Sequence, residues 1–284
     1  MRIRGDMFKF NWWGAKQPKR FKGMLYHSGR CNSCGSDTKF YYKEVALYRE
    51  SLLCAVCLTT SRYRSIARGI LRALAEITGT EAKSLAELDP ELNRAKVTIY
   101  DTQAPFYWDT CGYPIPDLLA RCQWIDVQTS LYRPLEPLGS TLGLTTTNQD
   151  LEQLTYPDKR FDIVLTSDVM EHVRRDDVAH REIRRVLKPG GFYIFTVPHF
   201  RHTRETLTRV AVIDPLDPSK DQYLTEKEYH GDANSKDGRA LSYRSFGTEI
   251  DEFLERLGFQ VEYCHDDFPE TGIMDTELFF CRVR

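Results

Sequence analysis

Residues 161–198 constrain the fold more tightly than any other part of the chain. Two short apolar runs, FDIVLTSD (161–168) and GFYIFTVP (191–198), flank a stretch whose Val178, Ile183, Val186 and Leu187 share one face at helical spacing. Arg and Glu take the other face, and KPGG at 188–191 ends the helix, predicted over roughly 176–187. A strand, a crossover helix and a second strand predict a parallel sheet in an α/β fold. Three earlier runs extend it: KVTIYD (96–101), CQWIDV (122–127) and LGLTTTN (142–148). A helix at 248–259 and two strands, QVEYCH and ELFFCRV, close the chain as an edge hairpin. With 41% hydrophobic and 28% charged residues the chain can bury a core. A net charge of −2 gives no overall attraction to nucleic acid or anionic membrane. The apolar runs are too short to span a bilayer, and residues 1–23 hold no continuous secretory segment, so the expected location is cytoplasmic.

Four of the eight cysteines form two tight pairs, Cys31/Cys34 in CNSCG and Cys54/Cys57 in CAVC. Two such knuckles point four thiolates at one place, and Zn²⁺ is the default ion, with iron or a redox role as alternatives. Four thiolates leave no open position, so the zinc is expected to be structural. The stretch FYYKEVALYRESLL between the knuckles fits a small hairpin.

After the second knuckle, residues 59–77 read as a linking helix capped by Ser61, with Tyr63, Ile66, Ile70, Leu71, Leu74 and Ile77 on its apolar face. Arg62, Arg64 and Arg68 have two readings: solvated or ion-paired groups, or cationic groups lining a substrate cleft. Residues 1–23 mix basic residues with Phe8, Phe10, Trp12 and Trp13, and suit an arm packed on the body or a contact surface.

The run FDIVLTSDVMEHVRRDDVAHREIRRVLKPGGFYIFTVP (161–198) closely resembles the second half of class I S-adenosylmethionine-dependent methyltransferases. The resemblance implies a Rossmann-like seven-stranded methyltransferase sheet over 96–284, and the cysteine pairs imply a small zinc-ribbon-like module at 24–60. It leaves 1–23 as an arm, 61–95 as the linking helix region and 199–246 as an insertion. It also implies S-adenosylmethionine as cofactor, bound at the carboxyl ends of the central strands. Asp101 and Gln103 would lie beside it after the first strand. Asp126, ending the second strand, would accept the ribose hydroxyls. Asp150 would approach the adenine amino group, Leu151 would pack on the ring, and Ser167 and Asp168 would face the methionine portion. Asp126 also reads as a surface strand end, and Asp150 as a turn cap. Glu171 and His172 read as packing groups.

The chain departs from the family after the first strand. The usual glycine-rich loop is replaced by YDTQAPFYWDTCGYPIPD (100–117), with Gly112 alone and late. Either Gln103, Ala104 and Pro105 set a variant backbone path, or the fold has lost its cofactor. In the insertion, EYHGD…G…YRSFG looks like a bacterial methyltransferase group that also carries an N-terminal CxxC pair. His230, with His199 as second choice, is the candidate general base. Tyr229, Tyr243 and Arg244 are candidate substrate contacts. The expected acceptor is a small polar molecule such as a sugar or glycan, methylated on oxygen. RNA or protein methylation is the second enzyme reading, and a degenerate fold serving as an interaction scaffold is the non-enzyme one.

Overall fold

The computed structural model describes residues 24–43, 47–91, 96–108, 111–231 and 238–284. The basic, aromatic arm at 1–23 and the loop tip at 232–237 lie outside them. Three strands open the chain: β1 (Met24–Arg30), β2 (Asp37–Tyr42) and β3 (Leu53–Cys54). Then follow helix α1 (Ser61–Thr78), strand β4 (Val97–Asp101), the short helix α2 (Ile115–Leu119), β5 (Ile125–Leu131) and β6 (Thr146–Asn148). Strand β7 (Phe161–Ser167), helix α3 (Asp176–Val186) and strand β8 (Leu187–Thr196) form the strand–helix–strand unit. Strands β9 (Glu228–Gly231) and β10 (Arg239–Ser242) make a hairpin ladder within the insertion. Helix α4 (Glu249–Arg256), β11 (Phe259–Phe268) and β12 (Ile273–Val283) complete the chain.

Seven strands form one mixed sheet in the order β11-β12-β8-β7-β4-β5-β6. The five from β8 to β6 run parallel, whereas β12 is antiparallel to both β8 and β11. The chain leaves β4 toward β5 and β6, then returns to lay β7 on the other side of β4. That reversal is the switch point beside which open α/β sheets bind their ligands.

The period of two along each strand separates the two faces of the sheet. Ile99, Ile163, Leu165, Phe192, Ile194, Leu278 and Phe280 bury against α1 and α2 in one cluster. Tyr100, Val164, Tyr193, Phe195, Phe259, Phe279 and Cys281 bury on the other face with Ala179, Ile183 and Val186 of α3 and Ile250 and Leu254 of α4. Such two-sided burial explains why the central strands read as nearly continuous apolar runs.

Helix α1 is part of this core and not a free-standing link. Ile66, Ala67, Ile70, Ala73 and Leu74 are buried, and Gly69 lets the helix approach the sheet. A Cβ at Gly69 would stand 3.0 Å from both Ile194 and Leu278. The N-cap is Thr60, whose hydroxyl accepts from the Tyr63 amide at 3.4 Å. Ser61 instead exchanges hydrogen bonds with the Met274 backbone, donating at 3.0 Å and accepting at 2.8 Å. The helix terminates at Gly79, left-handed at φ 69°.

Two expected strands move. The second begins at Ile125 and not at Cys122, because residues 119–125 form a turn with bonds from Cys122 to Leu119 and from Ile125 to Cys122, each 3.0 Å. The third shrinks to Thr146–Asn148, with Thr141 folded back onto Thr147.

Candidate functional site

The N-terminal sheet brings the four paired cysteines together, with all four sulfurs within 4.8 Å of one another. Cys31 Sγ and Cys57 Sγ lie 3.7 Å apart, and Cys34 Sγ and Cys54 Sγ lie 3.9 Å apart. A tetrahedron with about 2.3 Å Zn–S bonds has edges of about 3.8 Å, so the donor set fits one such ion. The amides of Val56 and Cys57 point at Cys54 Sγ at 3.4 and 3.5 Å. Behind the sulfurs sits Arg64, fully buried, over the Phe40 ring at 4.6 Å. Its guanidinium donates to the carbonyls of Thr59, Leu52 and Gly272, the last at 2.6 Å. The positive charge interacts with all four cysteines and so favours their thiolate form. Arg64 thus ties the cysteine module to the turn between β11 and β12.

At the switch point, Asp101 ends β4 and is 1% exposed. It accepts from the Tyr113 hydroxyl at 2.7 Å and from the Gln103 amide at 3.0 Å. Burial outweighs both bonds and pushes its carboxyl up to about 7. The loop that replaces the glycine-rich turn therefore starts as an Asx-type turn held by Asp101. Thr102 Oγ1 and Gln103 Oε1 are buried there without a hydrogen-bond partner among the described residues. Unpartnered polar atoms at the carboxyl end of the central strand suit a polar ligand such as the cofactor's amino-acid end.

Ser167 ends β7, and Asp168 follows in a left-handed conformation at φ 49°. Asp168 is paired with two arginines from the N-terminal part of the chain. Arg49 lies at 2.9 Å and Arg62 at 3.5 Å, while Thr196 donates at 2.8 Å. Burial alone would raise this carboxyl, but the two guanidiniums hold it well below the usual carboxylate range. Arg62 also donates to the Ser167 hydroxyl and forms a two-pronged pair with Glu50 at 2.7 and 2.8 Å. Arg62 is therefore the arginine of α1 that reaches the cleft, whereas Arg68 pairs with Asp266 at 3.0 Å. Arg49 was not singled out in the sequence, since nothing local marks a lone arginine before the second knuckle.

Asp150 lies beyond β6, half-buried, accepting from the Glu152 amide at 2.8 Å, and burial raises its carboxyl. Leu151 beside it is buried in the α3-side core. Asp126 stands elsewhere. It is the second residue of β5 and pairs in register with Thr98, whereas Asp101 pairs with Thr129. Its carboxylate meets Arg160 at 3.3 Å at the amino end of the sheet, opposite the site. The ribose role expected of Asp126 therefore fails on register, and Ser130, Leu131 and Tyr132 occupy the corresponding carboxyl end.

His199 also falls away from the cleft. It is 7% exposed, packed against Tyr263 and Phe279 of the outer strands at 5.4 and 5.1 Å. Burial, aided by Arg201, pushes its imidazole down to about 4, as expected for a packed ring. Arg244 is buried, and its guanidinium is turned toward the protein. It donates to the carbonyls of Met170 (3.1 Å), Val173 (2.6 Å) and Arg174 (2.8 Å) and pairs with Asp176 at 3.2 Å. These contacts fix the turn after β7 and engage the guanidinium with the protein itself, contrary to the substrate contact expected of it. Tyr243 donates its backbone amide to the Glu171 carbonyl at 2.8 Å, and Tyr229 is exposed under Arg239.

His230 joins a cluster with Glu171 and His172, two residues that read as packing groups in the sequence. Its Nδ1 lies 3.1 Å from His172 Nε2, and both nitrogens lie 3.6 Å from Glu171 Oε1. Glu228, two residues before His230 on the same strand face, reaches His230 Nε2 at 3.1 Å. That i, i+2 spacing was the available sequence signal for Glu228.

A family profile described as a methyltransferase domain matches residues 119–195, from the end of α2 through β8. A fatty-acid O-methyltransferase from Mycolicibacterium smegmatis is 41% identical over 74 residues, covering 26% of this chain and 27% of that protein. The chain thus matches about a quarter of the length of this curated relative. Among solved structures, an S-adenosylmethionine-dependent methyltransferase from Mesorhizobium loti aligns at 19% identity and TM-score 0.40, over 70% of this chain and 95% of that one. A 1,6-didemethyltoxoflavin-N1-methyltransferase from Burkholderia thailandensis aligns at 15% identity and TM-score 0.37, over 91% and 99%. The matched stretch contains the turn with Ser167, Asp168, Glu171 and His172. No described helix is long and apolar enough to cross a membrane.

Proposed function

We propose that the chain is an S-adenosylmethionine-dependent methyltransferase that methylates an oxygen of a small molecule. The observation that supports this most is a coincidence of place. The methyltransferase-domain match includes β5 and β7, the strands on either side of β4, and the buried, unpartnered polar atoms of Thr102 and Gln103 stand at the carboxyl end of β4 between them. The cofactor would supply an electrophilic methyl group on a sulfonium sulfur. Asp101 and Gln103 would hold its amino-acid end, Asp150 and Leu151 would flank its base, and Ser167, fixed by Arg62, would close the methionine side. Asp168 would act through the two arginines that bind it, keeping that end of the cleft in shape.

The chain's own residues must then hold the acceptor in line and deal with the proton its hydroxyl loses. The cluster of Glu171, His172 and His230 beyond β7 would serve that task, with Tyr229 and Tyr243 of the insertion as substrate contacts. Zinc in the four-cysteine module would be structural, and a cytoplasmic setting would keep those thiols reduced. For the acceptor, a sugar has no support from the relatives. The curated relative's name points to a fatty acid, whose carboxylate is also an oxygen acceptor. A labelled-methyl transfer assay against fatty acids, sugars, RNA and protein fractions separates these classes. Transfer to a small-molecule oxygen supports the reading, and transfer only to polymer would replace it with the RNA or protein alternative.

A further inference from the structure

Glu171 is fully buried, yet neither carboxylate oxygen has a hydrogen-bond partner among the described residues. A carboxylate withdrawn from water in this way calls for a facing positive charge. What faces it is a pair of imidazoles whose tautomers are set from behind. His172 Nδ1 lies 2.8 Å from the Leu241 carbonyl, which can only accept, so this nitrogen carries the ring hydrogen. His230 Nε2 lies 3.1 Å from Glu228 Oε1, and Arg209 holds the other oxygen of that carboxylate. The His230 hydrogen is thereby drawn to Nε2.

The two inward nitrogens, His172 Nε2 and His230 Nδ1, are left with lone pairs facing each other at 3.1 Å and facing Glu171 Oε1 at 3.6 Å each. Three lone-pair-bearing atoms this close to one another repel, and one cation held among them makes all three contacts attractive. A proton on His230 Nδ1 meets two of them and leaves the contact between Glu171 and His172 unmet. A point equidistant from the three atoms lies about 2.0 Å from each, the bond length of Zn²⁺ to nitrogen and oxygen.

We propose that Glu171, His172 and His230 form a second metal site, separate from the four cysteines, for a first-row divalent cation. Two imidazoles and one carboxylate are a donor set such ions favour. The hydrogen bonds to Leu241 and Glu228 orient the rings, and Arg244 fixes the turn that carries Glu171 and His172. With three protein ligands the ion keeps an open position. There it would bind the acceptor's oxygen and, where that oxygen is a hydroxyl, lower its pKa. That consequence rests on the methyl-transfer reading, whereas the site itself does not.

The test titrates Co²⁺ into the full chain with its cysteine module already loaded with zinc. The wild type is expected to take up one further equivalent, showing d–d absorption without a thiolate-to-cobalt charge-transfer band. His230→Ala and Glu171→Gln are each expected to lose that uptake while retaining the zinc. No further equivalent in the wild type, or uptake undiminished in the variants, overturns the proposal. If Glu171→Gln does not fold, His230→Ala carries the test, since its ring is partly exposed. Titrating the same samples with S-adenosylmethionine separates the two ideas. Cofactor binding without cobalt uptake sinks the metal site alone, and cobalt uptake without cofactor binding sinks the methyltransferase reading alone.

Discussion

Asp101→Asn is expected to remove a specific pH dependence from the stability of the fold. Burial raises the Asp101 carboxyl from 3.8 to about 7, against the hydrogen bonds from Tyr113 and Gln103. Between those values the folded chain keeps a proton that the unfolded chain has released. The resulting stabilisation is complete below about pH 4, declines as pH rises, and is gone once pH passes about 7. About three pH units at 1.36 kcal/mol each make this about 4 kcal/mol, lost on going from acid to neutral pH. Asparagine keeps the shape and an acceptor for Tyr113 but does not titrate. Urea unfolding of both proteins at several pH values from 5 to 8 gives the difference in stability, in which the other carboxylates cancel. That difference should move in favour of the variant by about 3 kcal/mol across the range. A flat difference would show that Asp101 is ionised in the folded protein throughout, and would refute the account of its buried site.

Two further outcomes are expected from the N-terminal module. Cys31→Ser with Cys34→Ser should leave the protein without zinc by elemental analysis and with a lowered melting temperature, since structural zinc sites supply about 10–16 kcal/mol. Full metal retention would count against the four-cysteine site. Gly272→Ala places a Cβ 2.5 Å from the Phe40 ring at a φ of +69°, and should cost about 1–3 kcal/mol in denaturant unfolding. An unchanged midpoint would mean that the contact between the module and the β11–β12 turn is not tight.

The parts legible in the sequence were those written in local spacing. The strand–helix–strand unit at 161–198, the cysteine knuckles and the final hairpin each carry their period in adjacent residues, and each stands close to where it was expected. Register was not legible. A start three residues later in β5 moves Asp126 from one end of the sheet to the other, and the turn at 119–125 that causes it has no glycine or proline to announce it. Meetings between distant segments were also hidden. Arg49 and Asp168 are separated by 119 residues, and His172 and His230 by 58, so no spacing rule could pair them. The carbonyls that absorb the charge of Arg244 lie 70 to 74 residues before it, beyond the reach of any local pattern.

The glycine-poor loop after β4 is expected to bind S-adenosylmethionine. Calorimetric titration of the zinc-loaded protein with S-adenosylmethionine, and separately with S-adenosylhomocysteine, tests it directly. Saturable binding of both, weakened by Asp150→Ala, is the predicted result. A folded protein that binds neither would contradict the account and leave the interaction scaffold as the better reading.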